Sequence, residues 1–325
     1  HLKHPKIMVL CGDIKTAENL HGDLRFFESN SKPLYLDPWD TLPFEAVSPQ
    51  LHITAERIHT LYNLASKQRF ICVASVAAMV QMTIPPHFIK ELSFNLKCGD
   101  TIPRTELLQI FDRNGYQRVS LVEETGQLAV RGGVIDFAPA GSAQAYRLEL
   151  CDDQIERISL FDVNTQRSVS ESNTAEILPV RELLQLSSPG GKALLHDAIC
   201  KIKNRAAELE LLPSETAKIT TALSEDLLYP GIELAIAVGL APLATVFDYL
   251  PADTLLVIND RNAIQRVGDE FQQLLCERES RMQNEPLLFP AKEMFFLEPL
   301  QLQTHTETYQ RCYLNDLTPQ AGTET

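Results

Sequence analysis

The chain has 325 residues, 44% of them hydrophobic, enough apolar side chains for two or three packed domains. Its 29 Lys and Arg against 43 Asp and Glu leave a formal net charge of −14, a poor basis for gripping a phosphate backbone, so duplex DNA binding should be weak. Seven scattered cysteines without a CxxC pair argue against a disulfide framework and a zinc site. With no apolar run of membrane-spanning length and no signal peptide, a reduced, cytoplasmic protein is expected.

Residues 7–11, Ile-Met-Val-Leu-Cys, are a continuous apolar run, the mark of a strand buried on both faces. Ala17, Leu20, Leu24 and Phe27 then recur at helical spacing. Leu34-Tyr35-Leu36 predicts a second strand. A helix over 53–65 turns Ala55, Ile58, Leu61 and Tyr62 inward. Residues 70–74 predict a third strand, with Ser75 capping a helix through Met82. Strict strand–helix alternation implies a parallel sheet covered by helices. Between the second strand and its helix lies DPWDTLPFEAVSP, with Trp39, the one tryptophan; its prolines exclude regular structure, leaving a structured surface loop or a binding loop.

From about residue 85 the pattern changes. A strand at 94–97 and a helix at 104–113, closed by Gly115 in a left-handed cap, precede short strands at 118–122, 127–131, 133–137, 146–150 and 154–161. This is an antiparallel meander with one helix. Within it, GQLAVRGGVIDFAPAG sets Arg131 directly before Gly132 and Gly133. Glycines there mark a bend, and Arg131 beside the bend is either solvated or aimed at a partner. Beyond Arg181 helices are expected at 192–211, 214–224 and 263–278, with strands at 244–248, 254–258 and 294–297. Those late strands return most economically to the first sheet. The expected division is 1–84 and 186–325 as two parts of one α/β domain, with 85–185 inserted as a small α+β domain. The tail after Asp316 reads as disordered. The chain begins at His1 without Met and reads as a fragment of something longer.

LYLDPWDTLPFEAVSP, ERIHTLYNL, GYQRV, AVRGGVIDFAP and YRLELCDDQIERISLFDVNTQRS resemble, in that order, the N-terminal part of bacterial transcription-repair coupling factors, itself similar to UvrB. ALSEDLLYPGIEL and ATVFDYLPADTLLVIND extend the likeness over nearly the whole chain. The resemblance implies a degenerate helicase-like (RecA-like) parallel-sheet α/β domain, split in sequence, around an inserted antiparallel α+β domain. It also implies that the inserted domain docks UvrA, recruiting nucleotide excision repair to stalled RNA polymerase. The family's docking arginines fall on Arg118 in GYQRV and Arg131 in AVRGG, with Phe137 as an apolar neighbour, although as a strand residue Phe137 also fits the core. The further arginine common in UvrB-like sequences is replaced by Ala129. Other domains of the longer protein are further implied partners. RNA polymerase contacts, DNA contacts and ATP-dependent translocation are implied to reside outside these residues.

The rival expectation is a nucleotide hydrolase, since the sheet is of the helicase kind. No G-x-x-x-x-G-K-[ST] loop occurs; Gly12-Asp13 would set an acid against a phosphate, and Lys15-Thr16 lies too close to Gly12. The resemblance puts that loop's place upstream of residue 1. It also sets Asn259 and Asp260, at the end of TLLVIND, where UvrB carries Asp-Glu. Asn259 lacks the charge for a magnesium ion, and Asp260 or Asn262 suits a helix cap. No histidine set predicts a metal site, and no cofactor is expected. Glu123-Glu124 reads as a solvated turn. A non-catalytic docking module is the expected function; a UvrB-like nucleotide-binding fragment and a purely architectural or autoinhibitory domain are the alternatives.

Overall fold

The computed structural model describes residues 5–27, 32–141, 144–182, 191–225, 227, 229–282, 285 and 287–314. The tail after Asp316 lies outside them.

Strand β1 (Lys6–Cys11) leads into helix α1 (Ile14–Phe27) and the short β2 (Leu34–Leu36). Helix α2 (Leu51–Ser66) returns the chain to β3 (Phe70–Ser75), followed by α3 (Val76–Val80) and α4 (Pro86–Leu92). Ser75 caps α3 as expected, its hydroxyl accepting from the Ala78 amide. The α1 stripe is only partly buried: Ala17 is at 0% exposure, whereas Phe27 is at 79%. Strand β4 (Phe94–Lys97) and helix α5 (Arg104–Arg113) open the meander β5 (Gln117–Arg118), β6 (Gln127–Arg131), β7 (Val134–Phe137), β8 (Ala145–Cys151), β9 (Gln154–Phe161), β10 (Ser168–Ser172) and β11 (Thr174–Ile177). Gly115 takes φ 79° after α5, the expected left-handed cap. Helices α6 (Gly191–Glu208), α7 (Pro213–Ser224) and α8 (Ile232–Leu240) follow. Strand β12 (Leu255–Asn259), α9 (Arg261–Met282), α10 (Lys292–Phe295), α11 (Pro299–Glu307) and β13 (Gln310–Leu314) complete the order.

Among the described residues the parallel sheet runs β13-β12-β1-β3-β2, so its first and last strands are far apart in sequence and the meander lies between them. β1 pairs with β3 on one side and with β12 on the other, Val9 opposite both Val73 and Val257. The second sheet runs β10-β9-β8-β7-β6-β5, antiparallel except at β5-β6, and β11 pairs with β4 alone. The expectation of a split parallel sheet around an antiparallel α+β insertion matches this topology.

Several elements differ from the reading above. Residues 244–248 do not form a strand. Ala244 makes one antiparallel bridge with Thr83, and Val246–Tyr249 close a 3-10 turn whose capping box joins Thr245 and Asp248. Residues 294–297 are also not a strand: α10 forms instead, and Phe296 bridges Gln81. The fifth parallel strand is β13, every residue of which is exposed, so it lacks an apolar signature. α8 escaped detection for the opposite reason. Ile232 through Val238 are all buried, so no periodic polar face marks the helix. The strand expected at 118–122 shortens to β5.

Helix α2 serves two cores. Ile58, Leu61 and Leu64 pack with Met8, Leu10 and Leu36 of the parallel sheet. Ala55 packs instead with Leu107, Phe111, Leu128 and Ile135 of the second sheet and its helix. Thr54 donates to the Val180 carbonyl at 2.7 Å and the Tyr62 hydroxyl donates to Glu176 at 2.7 Å. The Gly141 amide donates to Glu56 at 2.9 Å, and a Cβ on Gly141 would lie 2.2 Å from the His59 ring. Gly141 also has φ 72°. Gly141→Ala should therefore cost about 1–3 kcal/mol, from strain and overpacking. Gly22→Ala, in helix α1 with open space around its Cβ, should stabilise by about 0.5–1 kcal/mol. Urea midpoints of the two variants shifting in the same direction would contradict this assignment.

Candidate functional site

Residues Gln127–Phe137 form the β6–β7 hairpin, whose two-residue connection is Gly132-Gly133. Gly132 has φ 57°, the positive value such tight hairpins require, and a Cβ on Gly133 would meet the Leu150 carbonyl at 2.6 Å. The glycines therefore make a hairpin tip, and Arg131 is the last residue before it. Alternation sends Leu128, Ile135, Phe137 and Leu148 inward onto α5, where Leu107 and Phe111 receive them. Ala129, Arg131, Asp136 and Arg147 take the opposite face, as the register Ala129–Asp136–Arg147 requires.

Phe137 is at 0% exposure, stacked on Tyr146 at 5.3 Å and tilted against Phe111 at 4.9 Å. Its expected place as an apolar neighbour of a docked partner is thereby corrected: it is a core residue, because the hairpin register turns it toward α5. Arg118 is exposed on edge strand β5 and aligns with the inward-facing Leu128. Its guanidinium reaches back to Asp112 of α5, at 3.0 and 3.3 Å. Arg118 and Arg131 thus point to opposite faces, yet β5 and β6 are adjacent at one edge of the sheet.

Arg131 is not free. It is ion-paired with Asp136, a carboxylate at 0% exposure. Arg147 holds the same carboxylate fork to fork, Nε at 2.7 Å from Oδ1 and Nη2 at 2.9 Å from Oδ2. That bond to Asp136 raises the Arg147 pKa above its ordinary value. Sequence reasoning missed both Asp136 and Arg147. The available signal was an Asp flanked by Ile135 and Phe137, since a carboxylate inside an apolar strand stays only when paired.

At the C-terminal ends of the parallel strands the acidic side chains act as helix caps. The Asp13 carboxylate accepts from the Thr16 amide and hydroxyl at 2.8 Å each, which lowers its pKa. Asp260, at φ 59°, accepts from the amides of Asn262 and Ala263, capping α9. Asn259 lies with Nδ2 3.7 Å from Cys11 Sγ. Among the described residues, no group of three His, Cys, Asp or Glu side chains could hold a metal ion. None of their helices is long and apolar enough to cross a membrane.

The Trp39 loop is anchored. The Trp39 amide donates to Gln81 at 3.0 Å, its indole N–H donates to Glu182, and its ring packs 5.1 Å from Phe295. Beneath it, Arg57 donates to Glu182 at 3.0 Å and to the Asp37 carbonyl at 2.6 Å. Desolvation raises the Asp37 carboxyl from 3.8 to about 6, against a smaller lowering by Arg57. The folded chain thus holds a proton between those values that the unfolded chain releases. Ionised Asp37 costs stability at neutral pH, and the cost fades as pH falls through about 6 toward 3.8. Asp37→Asn should therefore raise the thermal midpoint at about pH 7.5 and lose that advantage near about pH 4. An equal gain at both pH values would count against the assignment.

Residues 94–183 match the family model of the UvrB interaction domain. The chain is 30% identical over 288 residues to the transcription-repair-coupling factor of Haemophilus influenzae, covering 88% of this chain and 24% of that protein. It is 31% identical over 267 residues to the Escherichia coli transcription-repair-coupling factor, covering 82% and 22%. It is 26% identical over 345 residues to the UvrABC system protein B of Psychromonas ingrahamii, covering 93% and 51%. The split parallel sheet, the inserted antiparallel sheet and these matches together define a UvrB-homology module. More particularly, over most of its length the chain is similar to transcription-repair-coupling factors, and the matches support an N-terminal UvrB-homology region of that kind. It spans about a quarter of the length of those relatives.

Proposed function

We propose that this region is a non-catalytic docking module that binds UvrA and so recruits nucleotide excision repair to stalled RNA polymerase. The observation that carries this reading is the match of residues 94–183 to a UvrB interaction domain whose β6–β7 tip carries the half-exposed Arg131. Arginine suits the task because its rigid, lightly hydrated fork binds carboxylate bidentately. A partner straddling the β5 edge would meet Arg131 on one face and Arg118 on the other. The commitment of Asp13 and Asp260 to helix caps favours docking over nucleotide hydrolysis. Cytoplasmic residence follows from the repair role.

Titrating the chain with UvrA, alongside a fluorescent ATP analogue with magnesium, tests this reading. Saturable UvrA binding without nucleotide binding is expected. Magnesium-dependent ATP turnover would overturn it in favour of the hydrolase, and absence of UvrA binding would leave an architectural role.

Residues 85–185 are proposed as the docking unit. Because Ala55 and Leu51 of α2 contribute to its core, the excised segment should unfold cooperatively but with lower stability than in the whole chain. A broad, non-cooperative melt of the excised segment would show that it is no separate domain.

A further inference from the structure

Asp136 is a fully buried carboxylate held by two arginines of unequal commitment. Arg147, with its side chain 19% exposed, occupies both carboxylate oxygens with two donors. Its guanidinium carbon also sits 4.8 Å from the centre of the Phe161 ring, which fixes its position further. Arg131, with its side chain 46% exposed, reaches only Oδ2, through Nη2. Stripping a buried carboxylate of its only cation is strongly unfavourable, so an arginine that is the sole partner of such a group is not available to anything else. Arg147 removes that constraint, because it satisfies Asp136 by itself.

We propose that Arg147 is a positioning residue for docking: it keeps Asp136 paired while Arg131 leaves that carboxylate for an acidic group on the partner. The inference rests on the reading of Arg131 as a docking residue. The partner group is a carboxylate, because the guanidinium exchanges one such group for another of the same geometry. In a chain without Arg147, Asp136 holds Arg131 back, and docking has to unpair a buried charge.

The test is a double-mutant cycle in the full chain, titrated against UvrA, with a thermal melt of every variant. Arg147→Met should weaken docking about tenfold or more. Adding Asp136→Asn should bring it back to within about threefold of the parent, because a neutral amide does not retain Arg131. Should Arg147→Met melt below the titration temperature, Arg147→Gln replaces it in the same cycle, leaving Asp136 a hydrogen-bond donor but no second cation. Docking by the Arg147 variant at parental strength overturns the inference. So does a double variant as weak as the single one, since a direct contact would not be rescued at Asp136, and so does a docking loss that vanishes at temperatures where the melt shows the single variant fully folded, the mark of a merely structural role. Arg131→Ala is the control that separates the two readings: if it docks like the parent, the docking assignment of Arg131 fails; if it fails to dock while the cycle shows no rescue, only the role of Arg147 falls.

Discussion

Replacing Arg131 by glutamate is expected to abolish measurable UvrA docking, with Arg131→Ala weakening it on the order of 30-fold. Removing one member of a buried interfacial charge pair costs about 2–5 kcal/mol, and each roughly 1.4 kcal/mol is tenfold in affinity. Alanine removes the attraction alone. Glutamate also sets a like charge toward an acidic partner and beside Asp136. Arg118→Ala should cost less, about tenfold, because its partner Asp112 is itself half exposed and remains solvated. Stability serves as the internal control. Arg131→Ala leaves Asp136 with both Arg147 bonds, so the loss of its half-exposed pair should cost no more than about 1 kcal/mol. Arg131→Glu should lower the melting point further, since the new carboxylate faces a buried one. Titration and melts on the same preparations decide the matter. Parental affinity in Arg131→Ala would remove this residue from the docking face.

The largest stability effect is expected far from that face, at Glu182. Its side chain is 1% exposed and that of Arg57 is 0% exposed, and the pair stands at 3.0 Å. Glu182 also accepts from Thr83 at 2.9 Å and from the Trp39 indole. Glu182→Ala would leave a guanidinium buried without its counter-charge, a change that costs about 3–5 kcal/mol. Urea unfolding should show a midpoint shift of that size. The double replacement Arg57→Met with Glu182→Leu should recover more than half of it, because no uncompensated charge remains, although Thr83 and Trp39 lose an acceptor. A double variant as unstable as Glu182→Ala would show that the pair is held by packing rather than by charge. Tryptophan fluorescence gives a second readout, since Trp39 is the one tryptophan and bonds directly to Glu182.

Strand–helix alternation was legible because apolar runs such as Ile7–Cys11 and Phe70–Ala74 are buried on both faces. The meander was legible because its inward set alternates. What escaped lay in contacts between distant positions. Arg57 and Glu182 stand 125 positions apart, and neither carries a local mark of burial. The role of Arg147 depends on a register that pairs it with Asp136, which no window along the chain displays. Phe137 was readable two ways, and only the direction of its strand's pleat decides for the core. β13 is a strand by partnership alone: all its side chains are exposed, and β12 supplies its pairing.

Helix α2 has a mechanical consequence. Because Ile58, Leu61 and Leu64 lie in one core and Ala55 in the other, a force applied at the β6–β7 tip has a short, stiff route into the parallel sheet. The Thr54–Val180 and Tyr62–Glu176 bonds lie along the same route. Load at that tip therefore bears on α2, the helix that the two cores share. In amide hydrogen exchange, the middle of α2 should be among the slowest segments, opening only when both cores open together.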